Sequence, residues 1–183
     1  MSDLSGKKVL VVSTNAGVEQ DELAVPVEEL RAAGAEVTVA AVEAGAVATT
    51  SGGEPGTEQS ADAAMSDVDD AAYDLLVVPG GTGNSDSLRL DPDAQRIVNA
   101  FAASGRPVAA ICHAPWLLVE TDLVKGRKLT SFKSVRTDTV NAGAEWSDEE
   151  VVVDSDGAFT LITSRTPADL EAFVREIKAV LAA

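Results

Sequence analysis

The sequence predicts an α/β fold in which a mostly parallel sheet is covered by helices on both faces. Residues 8–14 (KVLVVST) form a β-branched run, residues 22–34 follow with helical spacing, and residues 36–42 (EVTVAAV) predict a second strand. A strand, a helix and a strand in this order are typical of a parallel sheet. Two further runs, 74–79 and 107–111, are almost wholly apolar, as strands covered on both faces are.

The remaining elements extend this sheet and its helical layers. Helices are predicted over residues 92–104 with Asp91 as N-cap, over residues 114–120, and from Thr166-Pro167 through Leu181. Further strands are predicted over residues 129–132, 151–154 and 159–163. Residues 44–67 are rich in Gly, Ser, Thr and acids, which predicts a surface excursion with one short strand. Because no repeat or linker interrupts the pattern, residues 1–183 predict a single domain.

The charge of the chain restricts its partners. It carries 14 basic and 30 acidic residues, a net charge of −16, with a pI near 4.2. Such a surface repels phosphate backbones and anionic membranes, so neither nucleic acid nor lipid is expected as a partner. Abundant acids, few lysines and many alanines also resemble proteins of salt-loving organisms, and this halophilic hypothesis predicts a melting temperature that rises with added KCl.

The chain also predicts a cytoplasmic location. A single cysteine cannot form an internal disulfide, which suits a reducing compartment. The first fourteen residues, MSDLSGKKVLVVST, lack the three regions of a signal peptide. No apolar run approaches the roughly 18 residues that a membrane span requires.

Cys112 and His113 are the only cysteine and the only histidine of the chain, and they follow the predicted strand 107–111. Small residues flank the cysteine, as in a nucleophile elbow, where a tight strand-to-helix turn exposes the reactive side chain. The helix N-terminus would favour the thiolate, and its backbone N–H groups, near Ala114, would bind an oxyanion. The alternative for Cys112 is that it is a small apolar residue buried in the core. His113 is either a general acid or base of the site or simply a surface residue.

Two more segments at predicted strand ends bring polar groups toward this elbow. In an open α/β sheet, sites form beyond the carboxyl ends of the strands. Glu22 follows the first strand and is a candidate partner of Cys112, with Glu19 as a nearby rival and a solvated helix-end acid as the alternative. Gly80-Gly81 follows the strand 74–79 and is a candidate oxyanion-hole donor, although ordinary turns use the same pair.

No cofactor or metal is expected. One cysteine and one histidine cannot assemble a zinc site without several carboxylates. The chain has no Walker loop, and no G-x-G-x-x-G follows its first strand.

Several spaced segments resemble a known family. The runs AAICHAPWLLVETDLVKGRKLTS, NAGAEWSDEEVVVD and TSRTPADL are similar to the PfpI family of so-called intracellular proteases, in the superfamily of the Parkinsonism-associated deglycase. The resemblance spans nearly the whole chain, from KKVLVVST to the last helix. It implies a flavodoxin-like three-layer sandwich of the class I glutamine amidotransferase-like type, and a homo-oligomer, a dimer or a hexamer.

The resemblance also implies roles for individual residues. Cys112 is expected to be the nucleophile, with His113 beside it, and Glu22, four residues before Pro26, matches the family acid that contacts the cysteine. Asp86, in the segment DSLR, matches an acid that reaches the histidine from an adjacent subunit.

Three departures from the family pattern accompany these matches. The loop TGNS, before Asp86, is one residue longer than usual. Ala114 stands where glycine commonly follows the histidine, and the segment NAGVEQDE is less aromatic and acidic than is typical.

Three activities are implied by the resemblance: glutathione-independent glyoxalase, deglycase and peptidase. A thiolate adds readily to an aldehyde, and a neighbouring acid or base then moves a proton between carbons, so methylglyoxal would become lactate. Peptide hydrolysis requires more, namely protonation of an amine leaving group and a cleft for an extended chain. Small carbonyl compounds or glycated proteins are therefore the expected substrates, with a peptidase, a redox-sensing or chaperone-like protein, or an inactive scaffold as alternatives.

Overall fold

The computed structural model describes residues 3–183 and contains strands and helices in alternation. The strands are β1 (Lys8–Val12), β2 (Ala16–Glu19), β3 (Glu36–Ala41), β4 (Gly45–Ser51), β5 (Glu54–Pro55), β6 (Gln59–Ala61), β7 (Ala63–Ala64), β8 (Leu75–Val78), β9 (Val108–Ile111), β10 (Lys128–Leu129), β11 (Glu145–Trp146), β12 (Val151–Asp154) and β13 (Leu161–Ser164). The helices are α1 (Gln20–Ala32), α2 (Thr82–Leu88), α3 (Pro92–Ala103), α4 (Pro115–Glu120), α5 (Arg136–Asn141) and α6 (Leu170–Ala182).

Seven strands form the central sheet in the order β12-β13-β9-β8-β1-β3-β7. Every neighbouring pair is parallel except β12 and β13, which are antiparallel. The prediction of a mostly parallel sheet is confirmed, and the strand order is that of a flavodoxin-like, class I glutamine amidotransferase-like fold.

Alternation along β1 explains why both faces of the sheet carry helices. Successive side chains of a strand point to opposite faces. Val9 and Val11 join the apolar layer that includes side chains of α1 and α6. Leu10 and Val12 join the layer that includes side chains of α3 and α4. All four side chains are fully buried, so β1 lies at the centre of a three-layer sandwich.

The predicted helix boundaries agree closely with the observed ones. Asp91 caps α3 as predicted, because its Oδ1 accepts hydrogen bonds from the backbone N–H groups of Asp93 and Ala94, at 2.9 Å each. The last helix begins with a 3₁₀ turn at Pro167–Asp169, so α6 itself starts at Leu170. The strand predicted over residues 129–132 is shorter, since only Lys128–Leu129 pairs, with β11.

The largest difference lies in residues 44–67, where one short strand was expected and four are found. β4 pairs with β2, β5 and β6, which builds a small second sheet beside the first. The signal was a period-2 alternation in GAVATTS, where Val47 and Thr49 point inward. The high Gly and Ser content of residues 44–67 favoured the prediction of a loop instead of a strand at this alternation. β2, α2, α5 and β11 were not predicted from the sequence either.

The sheet positions the candidate site at the carboxyl ends of β1, β8 and β9. The strand order reverses at β1, between β8 and β3, and open α/β sheets bind ligands at such a reversal. Within residues 3–183, no helix combines the length and the apolar character that crossing a membrane would require.

Candidate active site

Cys112 occupies a strained turn between β9 and α4. Its φ is +64°, in the left-handed region that non-glycine residues rarely adopt, at a cost of about 1–3 kcal/mol. Two backbone hydrogen bonds hold the turn: the Cys112 N–H donates to the carbonyl of Ser164 at 3.0 Å, and the Phe132 N–H donates to the carbonyl of Cys112 at 2.8 Å. The backbone is therefore that of a nucleophile elbow, with the side chain only 6% exposed.

Glu22 lies beside the cysteine, at the bottom of the site. Its carboxyl group is fully buried and lies beside Cys112, since a Cβ on Gly80 would meet both Oε2 of Glu22, at 2.5 Å, and Cβ of Cys112, at 2.7 Å. Oε2 accepts a hydrogen bond from the Gly80 N–H at 2.9 Å, whereas Oε1 is buried without a fixed partner. Burial raises the pKa of Glu22 from its ordinary 4.5 to about 8. The carboxyl group is therefore protonated at neutral pH, and Oε1 is free to carry the proton.

The environment of Cys112 opposes spontaneous ionisation of the thiol. Burial, and then the negative charge of Glu22 when it is ionised, raise the pKa of Cys112. The backbone N–H groups of Gly81 and His113 face the sulfur and act in the opposite direction, lowering the pKa. We expected a helix N-terminus to favour the thiolate, but α4 is only six residues long and burial outweighs it. A base is therefore needed to remove the thiol proton.

His113 contacts the cysteine directly. Its Nδ1 lies 3.1 Å from Sγ of Cys112, while Nε2 lies 3.2 Å from Oγ of Ser134 and 3.4 Å from Oγ1 of Thr82. The ring stacks on Phe132 with centroids 4.7 Å apart. Burial lowers the pKa of His113, so the ring is neutral at pH 7. A neutral imidazole whose nitrogen faces a thiol is placed to accept its proton.

Ser134, Thr82 and Phe132 were not identified from the sequence. Ser134 belongs to a 3₁₀ turn, Lys133–Val135, that lies 21 residues beyond the histidine. Thr82 opens α2, which was not predicted as a helix. No local pattern distinguishes these hydroxyls from other surface serines and threonines, so their position near Nε2 follows from the tertiary structure alone.

The three candidate oxyanion donors have different surroundings. The N–H of Gly80 is engaged by Glu22, and the N–H of Ala114 donates to the carbonyl of Ile111 at 3.0 Å. Neither is free to bind a substrate oxygen. The N–H of Gly81 instead faces Cys112, so it is the candidate that remains beside the reacting atom.

The two other acids lie away from the thiol. Glu19 turns toward the second sheet, where its Oε1 accepts a hydrogen bond from the Gly52 N–H at 3.2 Å. Asp86 is exposed on α2 and, within residues 3–183, forms neither a hydrogen bond nor an ion pair. Its contact with a neighbouring subunit stays a prediction. In the same part of the chain, His, Cys, Asp and Glu side chains form no cluster of three that could hold a metal ion.

Comparisons with known proteins agree with this geometry. Residues 7–179 match the model of the DJ-1/PfpI family. The Escherichia coli protein named protein/nucleic acid deglycase 2 is 42% identical over 177 residues, which cover 97% of this chain and 99% of its own. The Bacillus subtilis protein YraA, provisionally named a cysteine protease, is 42% identical over 170 residues, 93% of this chain and 95% of its own.

A solved structure shares the fold over the same length. Drosophila melanogaster DJ-1beta superposes with a TM-score of 0.85 at 31% identity, covering 96% of this chain and 90% of that one. The match of the family model to almost the whole chain, the relatives above 40% identity and this common fold lead to one conclusion: the chain belongs to the DJ-1/PfpI family.

Proposed function

We propose that the protein is a cysteine-dependent enzyme that acts on reactive carbonyl compounds, as a glutathione-independent glyoxalase or as a protein deglycase. One observation carries the proposal: the thiol of Cys112 contacts the buried carboxyl group of Glu22 and lies 3.1 Å from Nδ1 of His113. A nucleophile that touches both a neutral acid and a neutral base has the groups that carbonyl addition and proton transfer require.

The first step forms a hemithioacetal. Nδ1 of His113 accepts the thiol proton, and the protonated Glu22 donates a hydrogen bond to the resulting thiolate. The sulfur attacks the aldehyde carbon of methylglyoxal, an S–C bond forms, and the carbonyl π electrons move to oxygen. The oxygen takes the proton from the imidazolium, with the Gly81 N–H beside it. His113 is again neutral.

The second step moves a proton between carbons. His113 removes the proton from the former aldehyde carbon while the protonated Glu22 gives its proton to the oxygen on the adjacent carbon, which forms an enediol. His113 then returns its proton to that adjacent carbon, and the hydroxyl group on the first carbon returns a proton to Glu22. The first carbon becomes a thioester carbonyl, so no external oxidant is required. Water then cleaves the thioester, releasing lactate and restoring the thiol of Cys112.

A deglycase would use the same chemistry on an early glycation adduct. The adduct of an amine with methylglyoxal is a carbinol whose carbon bears the nitrogen. Attack by Cys112 would form the S–C bond as the C–N bond breaks, and the amine would leave with a proton from His113. The hemithioacetal that remains is the one described above. The name of the Escherichia coli relative supports this form of the proposal.

The substrate class is limited by charge. A net charge of −16 disfavours nucleic acid polymers, so we propose small carbonyls and glycated proteins, although the Escherichia coli relative is named for both protein and nucleic acid. We propose that the enzyme works in the cytoplasm, where a reducing interior keeps its single thiol free. A homo-oligomer is proposed as the active form, since Asp86 has no role within one subunit.

A cysteine peptidase is the second candidate, and the contact between Cys112 and His113 favours it. Papain-like peptidases use the same pairing of thiol and imidazole. A peptidase, however, must also orient its histidine and hold an extended chain. Nε2 of His113 meets only hydroxyl groups within one subunit, so a neighbour's Asp86 would have to supply the acid.

The experiment that tests the proposal compares purified protein, Cys112→Ala and a control variant on two substrates. Lactate is measured by NMR after incubation with methylglyoxal without glutathione, and cleavage is measured with a fluorogenic peptide. Lactate production that is lost in Cys112→Ala is expected, with Ser87→Ala, an exposed residue on α2, retaining it. Full lactate production by Cys112→Ala would refute the proposal, and peptide cleavage without lactate would favour the peptidase. Neither activity, with ready oxidation of Cys112 in intact mass spectra, would favour a redox sensor.

A further inference from the structure

Asn84 is a fully buried amide in the first turn of α2, and its hydrogen bonds go to the backbone and side chain around it, within residues 3–183, and not to the thiol or the histidine. Its Nδ2 donates hydrogen bonds to the carbonyl of Pro79 at 3.1 Å and to the carbonyl of Gly80 at 3.0 Å. Its Oδ1 accepts hydrogen bonds from the backbone N–H of Thr14 at 2.7 Å and from Oγ1 of Thr14 at 2.9 Å. The amide is thus satisfied on both sides and joins the end of β1 to the turn after β8.

Because of the geometry of the peptide bond, these hydrogen bonds to the two carbonyls also set the direction of the next N–H groups. In a planar trans peptide, the C=O and the N–H that share the bond point in opposite directions. Residues 3–183 contain no cis peptide bond, so holding the carbonyl of Pro79 directs the N–H of Gly80 away from Asn84. Holding the carbonyl of Gly80 directs the N–H of Gly81 in the same way.

Both directed N–H groups meet the reactive pair. The Gly80 N–H donates to Oε2 of Glu22 at 2.9 Å. The Gly81 N–H faces the sulfur of Cys112. Asn84 therefore directs the donor to the acid through the carbonyl of Pro79, and it shares the carbonyl of Gly80 with the backbone N–H of Glu19, which donates to it at 3.3 Å.

The turn after β8 consists of two glycines, Gly80 and Gly81, whose backbone is intrinsically flexible. A Cβ on Gly80 would lie 2.5 Å from Oε2 of Glu22 and 2.7 Å from Cβ of Cys112, so only glycine fits. Gly81 has a φ of +89°. Two consecutive glycines have the widest backbone freedom of any pair, and nothing in their own side chains restricts it. Their orientation is set by the groups around them, namely the packed backbone of residues 17–19 beside Gly81 and the amide of Asn84 at the two carbonyls.

We propose that Asn84 is a positioning residue: by holding the carbonyls of Pro79 and Gly80, it aims the N–H groups of Gly80 and Gly81 at Glu22 and Cys112 and so sets the reactivity of the thiol. The proposal deepens the carbonyl chemistry proposed above, and it rests on that function for its activity readout alone. The titratable groups that face the thiol are Glu22 from α1 and His113 from the elbow, with Glu19 and Asp21 near Glu22. All four remain in the variants below.

The test uses the single cysteine, whose alkylation by iodoacetamide is followed by intact mass over a range of pH. Asn84→Asp has nearly the same shape but replaces the donating Nδ2 with an oxygen that cannot donate to a carbonyl. Asn99→Asp is the matched control, because it makes the same change of charge at an exposed position on α3. Asn84→Ser is a second variant that avoids placing a carboxylate beside two carbonyls. Circular dichroism and a cooperative melt establish that each variant is folded.

We expect alkylation of the folded Asn84 variants to be slowed about tenfold at pH 7, with its midpoint displaced upward by about one pH unit, since a donor to the thiolate is lost. Thr14→Val removes one of the two hydrogen bonds that anchor Oδ1, so the amide holds the carbonyls less firmly and the profile should shift in the same direction by less. A folded Asn84 variant whose profile overlays that of Asn99→Asp would overturn the proposal. If Asn84→Asp and Asn84→Ser both fail to fold, an unshifted profile in folded Thr14→Val overturns it instead.

Activity measurements separate the two proposals. If the unmodified protein converts methylglyoxal and the Asn84 variants lose kcat with little change in KM, both proposals are supported. If the unmodified protein produces no lactate, the proposed function fails, while the alkylation profiles still decide the role of Asn84. If Asn84→Asp is fully active with an unchanged profile, the function stands and the positioning role is refuted.

Discussion

The backbone N–H of Gly80 donates a hydrogen bond to Oε2 of Glu22 at 2.9 Å, across 58 residues of sequence. This contact joins the turn after β8 to the first turn of α1, beneath the nucleophile. It uses the N–H that we had expected to bind a substrate oxygen. The acid and the turn therefore form one unit, and changes in either should affect Cys112.

Gly80→Ala should disable the site through steric conflict. The added Cβ would lie 2.5 Å from Oε2 of Glu22 and 2.7 Å from Cβ of Cys112, so the carboxyl group or the elbow must move. We expect a loss of at least a hundredfold in kcat/KM for methylglyoxal, because misplacement by about 1 Å has that effect. Gly83→Ala is the control, since its Cβ would find its nearest neighbour 3.9 Å away. Equal activity of the two variants would contradict the prediction.

Glu22→Gln should reduce the pH dependence of stability. Burial raises the pKa of Glu22 from 4.5 to about 8, so the folded protein holds a proton that the unfolded chain releases above its ordinary pKa. This stabilisation is complete below the unfolded pKa and is lost as the pH rises through about 8. The free energy of unfolding should fall by roughly 3 kcal/mol between about pH 5 and pH 8 for this residue alone.

Chemical denaturation at each pH measures this difference. Glu22→Gln has no proton to lose, so its stability should decline less than that of the unmodified protein, with other groups contributing equally to both. Glu28→Gln, at an exposed position of the same helix, should behave as the unmodified protein does. Parallel curves for Glu22→Gln and Glu28→Gln would show that the buried carboxyl group is already ionised at pH 5.

Removing the hydroxyl groups at Nε2 should change the proton arrangement of His113. When Oγ of Ser134 and Oγ1 of Thr82 accept from Nε2–H, at 3.2 and 3.4 Å, Nδ1 is left free to accept the thiol proton. The double variant Ser134→Ala with Thr82→Val should lower kcat/KM by up to about tenfold, the value of one hydrogen bond.

The single histidine allows a direct measurement of its tautomer by nitrogen NMR. We expect the unmodified protein to carry its proton on Nε2, and the double variant to show a larger share of the Nδ1–H form. Ser87→Ala is the control: it also removes a serine hydroxyl, but at an exposed position, and it should leave the spectrum unchanged. A spectrum of the unmodified protein with the proton on Nδ1 would contradict this arrangement.

Asp86 should act only between subunits. Asp86→Asn and Cys112→Ala should each be inactive, because one lacks the acid that is predicted to reach a neighbour's histidine and the other lacks the nucleophile. Mixed dimers of the two variants contain one intact site, so random reassociation should restore about a quarter of full activity. Asp67→Asn, also exposed, should be fully active. An active Asp86→Asn protein, or a mixture without recovery, would remove Asp86 from the site.

The order of the central elements could be predicted because each depends on neighbours in sequence. The strand at 75–78 and the helix cap at Asp91 each depend on only a few adjacent residues, and both are found where they were predicted. Residues 44–67 were misjudged, since β4 is stabilised by pairing with β2, β5 and β6, and composition alone carries little information about pairing.

The elbow itself was also visible in the sequence. A cysteine after a buried strand and before a helix, with small neighbours, predicts the turn that Cys112 makes with a φ of +64°. The direction of His113 was not visible. In the structure, Nδ1 lies 3.1 Å from the thiol while Nε2 faces Ser134 and Thr82, and a contact of the ring with Asp86 of another subunit stays a prediction.

The sequence by itself determined the three-layer fold, the elbow and the residues Cys112, His113 and Glu22 as the chemistry to consider. Only the tertiary structure decided which atoms meet: the Gly80 N–H with Glu22, Asn84 with the carbonyls behind it, and the hydroxyl of Ser134 with His113. Strands and caps arise from short-range hydrogen bonding and hydrophobic periodicity, which a local pattern records. Side-chain contacts at strand ends depend on the register and packing of distant segments, and no local pattern records those.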